Sequence, residues 1–224
     1  MATLNASKWG YVLSSNFTTH AAARGASSGF QATVNPTTTQ TSIAYRRFTA
    51  RGRGNNFYQI RRSFYYFNTS GLQITSATLN IRGGTGSSSV IVMKSTAFSG
   101  DGSTNLTTAN YSSISFTETY SNAYTSWTNS NNSISLNSTA VNIITSNNAF
   151  ICAVIQYNND QQNVDSLSNT EQVNQTNFAT TAYLDYQGSS VSDIASLNGV
   201  ARASITSFNT IALASIGSIN GIDN

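Results

Sequence analysis

Charge is scarce in this chain, and so are proline, cysteine and histidine. Only 8% of the 224 residues are charged, against roughly a quarter in an average domain, and there is one Pro, one Cys and one His. A single cysteine excludes an intrachain disulfide, and with it the disulfide-stapled secreted folds. Cys152 lies in the continuous apolar run Phe150-Ile151-Cys152-Ala153-Val154-Ile155 and reads as a buried thiol in a core strand, not a nucleophile. His20 is followed by Ala21-Ala22-Ala23 with no nucleophile near it, which leaves no catalytic dyad. One histidine and one buried cysteine do not make a zinc site. No apolar run approaches membrane-spanning length, so no membrane insertion is expected. Met1 to Asn5 lacks a basic region leading into an apolar stretch, so no secretory signal is expected.

Uncharged polar and aromatic residues fill the space. The 35 Ser, 29 Thr and 27 Asn make about two fifths of the chain, alongside 11 Tyr, 11 Phe and 2 Trp. Such a mixture suits antiparallel sheets, whose strands alternate buried apolar with exposed Thr, Ser and Asn. It is too rich in aromatic and β-branched residues for disorder. Strands are expected at Ile43–Arg47, Phe57–Phe67, Gln73–Ile81, Val90–Ala97, Ser113–Phe116, Ile134–Leu136, Phe150–Tyr157 and Phe178–Tyr186, separated by Gly, Asn and Ser clusters. Only Thr139 to Thr145, behind Ser138 as its cap, has a helical look. The expected fold is an all-β sandwich over residues 1–188, joined by a Gly188-Ser189-Ser190 linker to a β-repeat over 189–224.

The net charge of +3 hides an asymmetry: residues 1–100 hold ten of the eleven bases and no carboxylate, and all eight carboxylates follow. Arg46, Arg47, Arg51, Arg53, Arg61 and Arg62 crowd together with Phe48, Phe57 and Tyr58 among them. This cluster is a candidate charged contact surface. Either it faces nucleic acid, which six arginines without supporting lysines make the weaker reading, or its arginines pair with carboxylates of the second half or of a neighbouring subunit. Asp101, Glu118, Asp160, Asp165, Glu171 and Asp185 are the carboxylates on which a glycosidase would have to draw. None sits in a recognisable motif, and no enzymatic activity is expected. Asn158-Asn159-Asp160 with Asp165 offers oxygen ligands for calcium, but reads as an ordinary polar loop. No metal or cofactor is expected.

The chain ends in a repeat of eleven residues. Ile194-Ala195-Ser196-Leu197-Asn198-Gly199-Val200 is echoed by Ile205-Thr206-Ser207-Phe208-Asn209-Thr210-Ile211 and by Ile216-Gly217-Ser218-Ile219-Asn220-Gly221-Ile222. Asn, Ser and β-branched residues in every copy, and Gly in two of them, argue against a helix, and Asn-Gly between apolar residues is the strongest short hairpin signal. Turns at Asn198-Gly199, Asn209-Thr210 and Asn220-Gly221 leave nine-residue strands, Val200 to Phe208 and Ile211 to Ile219. The result is a small meander with Phe208 opposite Ile211 and Ile205 opposite Ala214. Its apolar residues lie on both faces, so it needs a partner. Short repeats at a chain end are assembly devices more often than catalytic ones.

One stretch resembles a known family. Gln59-Ile60-Arg61-Arg62-Ser63-Phe64-Tyr65-Tyr66-Phe67-Asn68-Thr69-Ser70-Gly71-Leu72, followed by Ile74-Thr75-Ser76-Ala77-Thr78-Leu79-Asn80-Ile81, resembles the DNRLRE-like jelly-roll domain. Leu136 to Ala140, the Phe150 strand and Ala182-Tyr183-Leu184-Asp185-Tyr186 are similar too, in the expected order. Asn68 stands where that family often has Asp, and Tyr183 lacks the usual preceding Pro. The resemblance implies a jelly-roll sandwich of the kind found in bacterial surface and phage virion proteins. The function it implies is a virion structural protein, a capsid decoration or head fibre or a tail-associated receptor-binding protein. Such a chain would assemble on itself and on other virion proteins through its repeat. The rival is a free glycan-binding module, for which Trp9, Tyr120, Tyr124 and Trp127 are the candidate rings to stack on sugars.

Overall fold

The computed structural model describes residues 2–34, 41–49, 56–86, 88–167, 172–178 and 182–190, and beyond these the residue pairs 196–197, 200–201, 207–208, 211–212, 218–219 and 222–223. In chain order the strands are β1 (Ala2–Asn5), β2 (Lys8–Ser14), β3 (Gly29–Val34), β4 (Thr41–Thr49), β5 (Asn56–Asn68) and β6 (Leu72–Arg82). Then come β7 (Val90–Ser95), β8 (Ile114–Thr119), β9 (Asn131–Ser135), β10 (Ala149–Gln156), β11 (Gln172–Phe178) and β12 (Tyr183–Ser190). Two helices interrupt them, α1 (His20–Arg24) and α2 (Ser138–Ser146).

All pairings are antiparallel. A small sheet runs β1-β12-β6-β9, and a large one runs β11-β4-β5-β10-β7-β8 with β2 and β3 added at β5. The expected all-β sandwich is therefore present. Its organiser is β5, whose thirteen residues pair with β4 along 56–61, with β2 along 61–66 and with β10 along 63–68.

Alternation on the central strands explains the layering. Tyr65 and Phe67 of β5, and Phe150, Cys152 and Val154 of β10, join Leu79, Ile81, Ile134 and Leu184 of the small sheet in one core. Their neighbours Ile60, Phe64, Ile151, Ala153 and Ile155 point the other way, into a second core with Val12, Tyr45, Phe98 and Tyr111. The large sheet is thus buried on both faces, which is why its β10 reads as an unbroken apolar run. Cys152 is a free, fully buried thiol, and burial pushes its pKa up. Native protein should leave Cys152 unlabelled by iodoacetamide, with one equivalent incorporated after denaturation; fast native labelling would contradict this packing.

Three sequence expectations need correction. The single strand expected over Phe178–Tyr186 is two strands in different sheets, because β11 ends at Phe178 against β4 and β12 begins at Tyr183 against β6. The helix cap at residues 137–138 is Asn137, whose side chain accepts from the Ala140 N–H at 3.0 Å, and α1 was not anticipated. Gly188-Ser189-Ser190 is no linker: these residues pair with Ile74, Gln73 and Leu72 of β6. The register shifts between Gln187 and Gly188, and Gly188 has φ +143°. A Cβ there would lie 2.1 Å from the Gln73 carbonyl oxygen, so the bulge demands glycine. The sandwich runs to Ser190.

Candidate functional site

The arginines of β4 and β5 divide by parity. Arg62 points into the second core and is 1% exposed, as is Asp160, which sits in a π-helical turn at Tyr157–Gln161. Arg62 donates from Nε to Asp160 Oδ2 and from Nη2 to Asp160 Oδ1, both at 2.7 Å. It also donates to the Tyr111 carbonyl at 2.7 Å and the Arg24 carbonyl at 2.8 Å, with its guanidinium 4.0 Å from the Tyr111 ring centroid. Burial alone would lower the Arg62 pKa, but Asp160 and Tyr111 outweigh it and the net shift is upward. The guanidinium stays charged in the interior because its fork is filled.

The same turn is clamped from helix α1, and the segment that follows it from β4. Arg24 Nε donates to the Asp160 carbonyl at 2.5 Å, and His20 Nε2 lies 2.8 Å from the Asn159 carbonyl oxygen. Tyr45 donates its hydroxyl to Asp165, and its pKa is raised by burial and by that hydrogen bond. Arg47 Nη1 donates to the Leu167 carbonyl at 2.7 Å and packs over Tyr58. Hence Arg62 and Arg47 are structural, and Arg62 forms one of the pairings with second-half carboxylates that the charge asymmetry allowed. Arg51 and Arg53 lie outside the described residues.

Arg46 and Arg61 face the other side of the sheet. They share the two-residue period of Tyr65 and Phe67 but line an open cleft of about 160 Å³ with Leu13, Ala44, Gln59, Val173 and Gln175. A second cleft of about 440 Å³ adjoins it through Arg46 and Gln59, bounded by Ser15, Asn16, Phe30 and Phe48. Phe30 is 71% and Val173 51% exposed. Sequence reasoning missed Phe30, Gln59, Val173 and Gln175. The signal was an apolar residue without apolar neighbours in sequence, Phe30 between Gly29 and Gln31 in β3 and Val173 between Gln172 and Asn174 in β11.

The four candidate rings for glycan stacking do not form a platform. Tyr120 (2% exposed) packs on Phe150 at 5.2 Å and Trp127 (7%) on Phe178 at 5.1 Å, while Trp9 and Tyr124 are half-buried against the same core. The carboxylates are dispersed. Asp185 accepts from Thr3 at 2.7 Å and Asn80 at 3.1 Å, Glu118 pairs with Lys94 at 2.7 Å, and Asp101 accepts from the Ser103 N–H at 2.8 Å. Asp160 spends both oxygens on Arg62 instead of offering them to an ion. Glu171 lies outside the described residues.

In the repeat, Leu197 pairs with Val200, Phe208 with Ile211 and Ile219 with Ile222, each pair preceded and followed by one more paired position. Every register leaves two residues between partners, as expected for hairpins at the three proposed turns. The turn residues Asn198, Gly199, Asn209, Asn220 and Gly221, and the segments holding Ile194, Ile205, Ala214 and Ile216, lie outside the described residues. So do the middles of the nine-residue strands.

The chain is thus an all-β protein of two antiparallel sheets followed by three short antiparallel strand pairs. No protein-family model matches it, and no curated protein is significantly similar to it.

Proposed function

We propose that this chain is a non-enzymatic structural protein of a phage virion. In this reading a jelly-roll sandwich, residues 1–190, is held on the particle or on further copies of itself by the tail at 191–224. Capsid decoration or head fibre and tail-associated receptor binding are the two places such a protein serves, with other virion proteins as its partners.

The observation that carries the proposal is the recurrence of one strand-pair register along the tail. The last strand of the small sheet in sequence, β12, has β1 on one edge and β6 on the other. Three hairpins of one register then follow at eleven-residue spacing. Units that repeat one pairing suit docking on a repeated partner. The competing reading, a free glycan-binding module built on Trp9, Tyr120, Tyr124 and Trp127, loses support from their packing.

Replacing Phe208 and Ile211 together by aspartate places like charges directly opposite each other in the middle hairpin. The double variant should melt with the wild-type sandwich transition and yet fail to associate with particles. Association at the wild-type level would overturn the proposal.

A further inference from the structure

Arg61 and Arg62 are neighbours in sequence with opposite circumstances. Arg62 has a carboxylate on its fork; Arg61 has none. Arg61 Nη1 donates to Ser42 Oγ at 2.5 Å and its guanidinium lies 4.5 Å from the Tyr11 ring centroid, but its buried Nε has no partner. Burial holds the Arg61 pKa below its ordinary value, with only the Tyr11 hydroxyl opposing. Arg46 makes no hydrogen bond or ion pair among the described residues; its guanidinium rests 4.2 Å from the Phe48 ring centroid. Across the cleft, Gln59 makes no side-chain hydrogen bond, and Gln175 uses only its amide nitrogen, toward Asn177. Among the described residues no carboxylate lines either cleft. Two guanidinium groups and two carboxamides therefore converge on one small hollow with unused donors and, among the described residues, no counter-ion. A half-buried cation without a counter-charge is costly, and an incoming anion offsets that cost.

We propose that this cleft binds the carboxylate of an acidic sugar in a polysaccharide, with Arg46 and Arg61 holding the anion and Gln59 and Gln175 its hydroxyls. The neighbouring cleft takes the next sugar against Phe30. Guanidinium forks match planar carboxylates in geometry as well as charge, and an exposed aromatic beside carboxamides is the surface a sugar ring covers. Nucleic acid is the weaker candidate: among the described residues the two clefts offer two cations, too few to follow a phosphate backbone. The described residues of the site all belong to the sandwich, so the proposal stands whatever the tail docks on.

Full-length protein titrated with hexagalacturonate at 0.15 M salt tests it, with maltohexaose and a single-stranded hexadeoxynucleotide as parallel probes. Saturable binding of hexagalacturonate is expected, with none of maltohexaose and weaker binding of the oligonucleotide. Arg46→Gln and Arg61→Met should each weaken it at least about tenfold, the loss of one charge-assisted fork, while Lys94→Gln, remote from the clefts, leaves it unchanged. Arg46 is exposed, so Arg46→Gln reports on binding even if Arg61→Met does not fold. The proposal is overturned if wild type shows no saturable binding of hexagalacturonate. Tighter binding of the oligonucleotide, lost in the same variants, overturns it in favour of nucleic acid. An equal loss in Lys94→Gln overturns it in favour of diffuse charge attraction.

Discussion

Asp160→Ala should destabilise the sandwich by about 3–5 kcal/mol, because it leaves a buried cation without its counter-charge. For a domain of this size that lowers the melting temperature by roughly 6–20 °C. Arg62 is 1% exposed and has no route to water, so it cannot recover hydration when the carboxylate goes. The damage spreads, since the turn that carries Asp160 is also the attachment point of α1 through Arg24 and His20. Asp160→Asn keeps the shape but not the charge, and should fall in the same direction by less. Replacing both partners, Arg62→Met with Asp160→Leu, should recover much of the loss, because two apolar groups of similar volume need no compensation. The Tyr111 and Arg24 carbonyls, which lose their donor in that variant, set a limit on the recovery. Thermal melts followed by near-ultraviolet circular dichroism read all three. A single Asp160→Ala transition within about 2 °C of wild type, under 1 kcal/mol on the same scale, would show that the ion pair is not the brace described.

Ending the chain at Ser190 should leave the melting of the sandwich unchanged and reduce its mass in solution to that of a monomer. Ending it three residues earlier, at Gln187, should behave differently. That cut removes the pairs Gly188–Ile74, Ser189–Gln73 and Ser190–Leu72 and uncovers the start of β6, so the melting temperature should drop by several degrees, about 1–2 kcal/mol at this size. The comparison separates two roles that the sequence runs together, one for the end of β12 and one for the hairpins. If the chain ending at Ser190 keeps the mass of the full chain, the hairpins are not the assembly element. Light scattering after size-exclusion chromatography decides it.

Much of this architecture was legible because alternation was strong where it mattered. The β5 and β6 segments combine aromatic and β-branched residues at period two with a family-like order of motifs, and both formed. Parity alone places Arg61 and Arg62 on opposite faces. What it does not reveal is which face is closed, since that depends on Asp160, 98 positions away. Strands β1, β2, β3 and β11 went unread. In β1, β3 and β11 few residues are buried: edge strands such as Gln172–Phe178 satisfy their backbone against one neighbour and keep polar side chains. In β2, which is largely buried, Gly10 interrupts the apolar pattern. Helix α1 is five residues long, too short for a periodic signal, and is held by its Thr19 cap and by the contacts of Arg24 and His20. The Gly188 linker reading failed for a different reason. A Gly-Ser-Ser string looks like a flexible connection in sequence, whereas here the glycine serves a bulge. The arginine cleft was half visible: the arginines were singled out, but their partners Gln59, Val173 and Gln175 come together only through strand pairing.

The central claim is that this sandwich is a particle component held by its tail. Quantitative mass spectrometry of purified virus particles tests it most directly. The account predicts the full chain at a fixed copy number relative to the major capsid protein, retained through a high-salt wash, and absent when the chain ends at Ser190. Particles that lack the protein, or that carry the full and shortened chains equally, would contradict it.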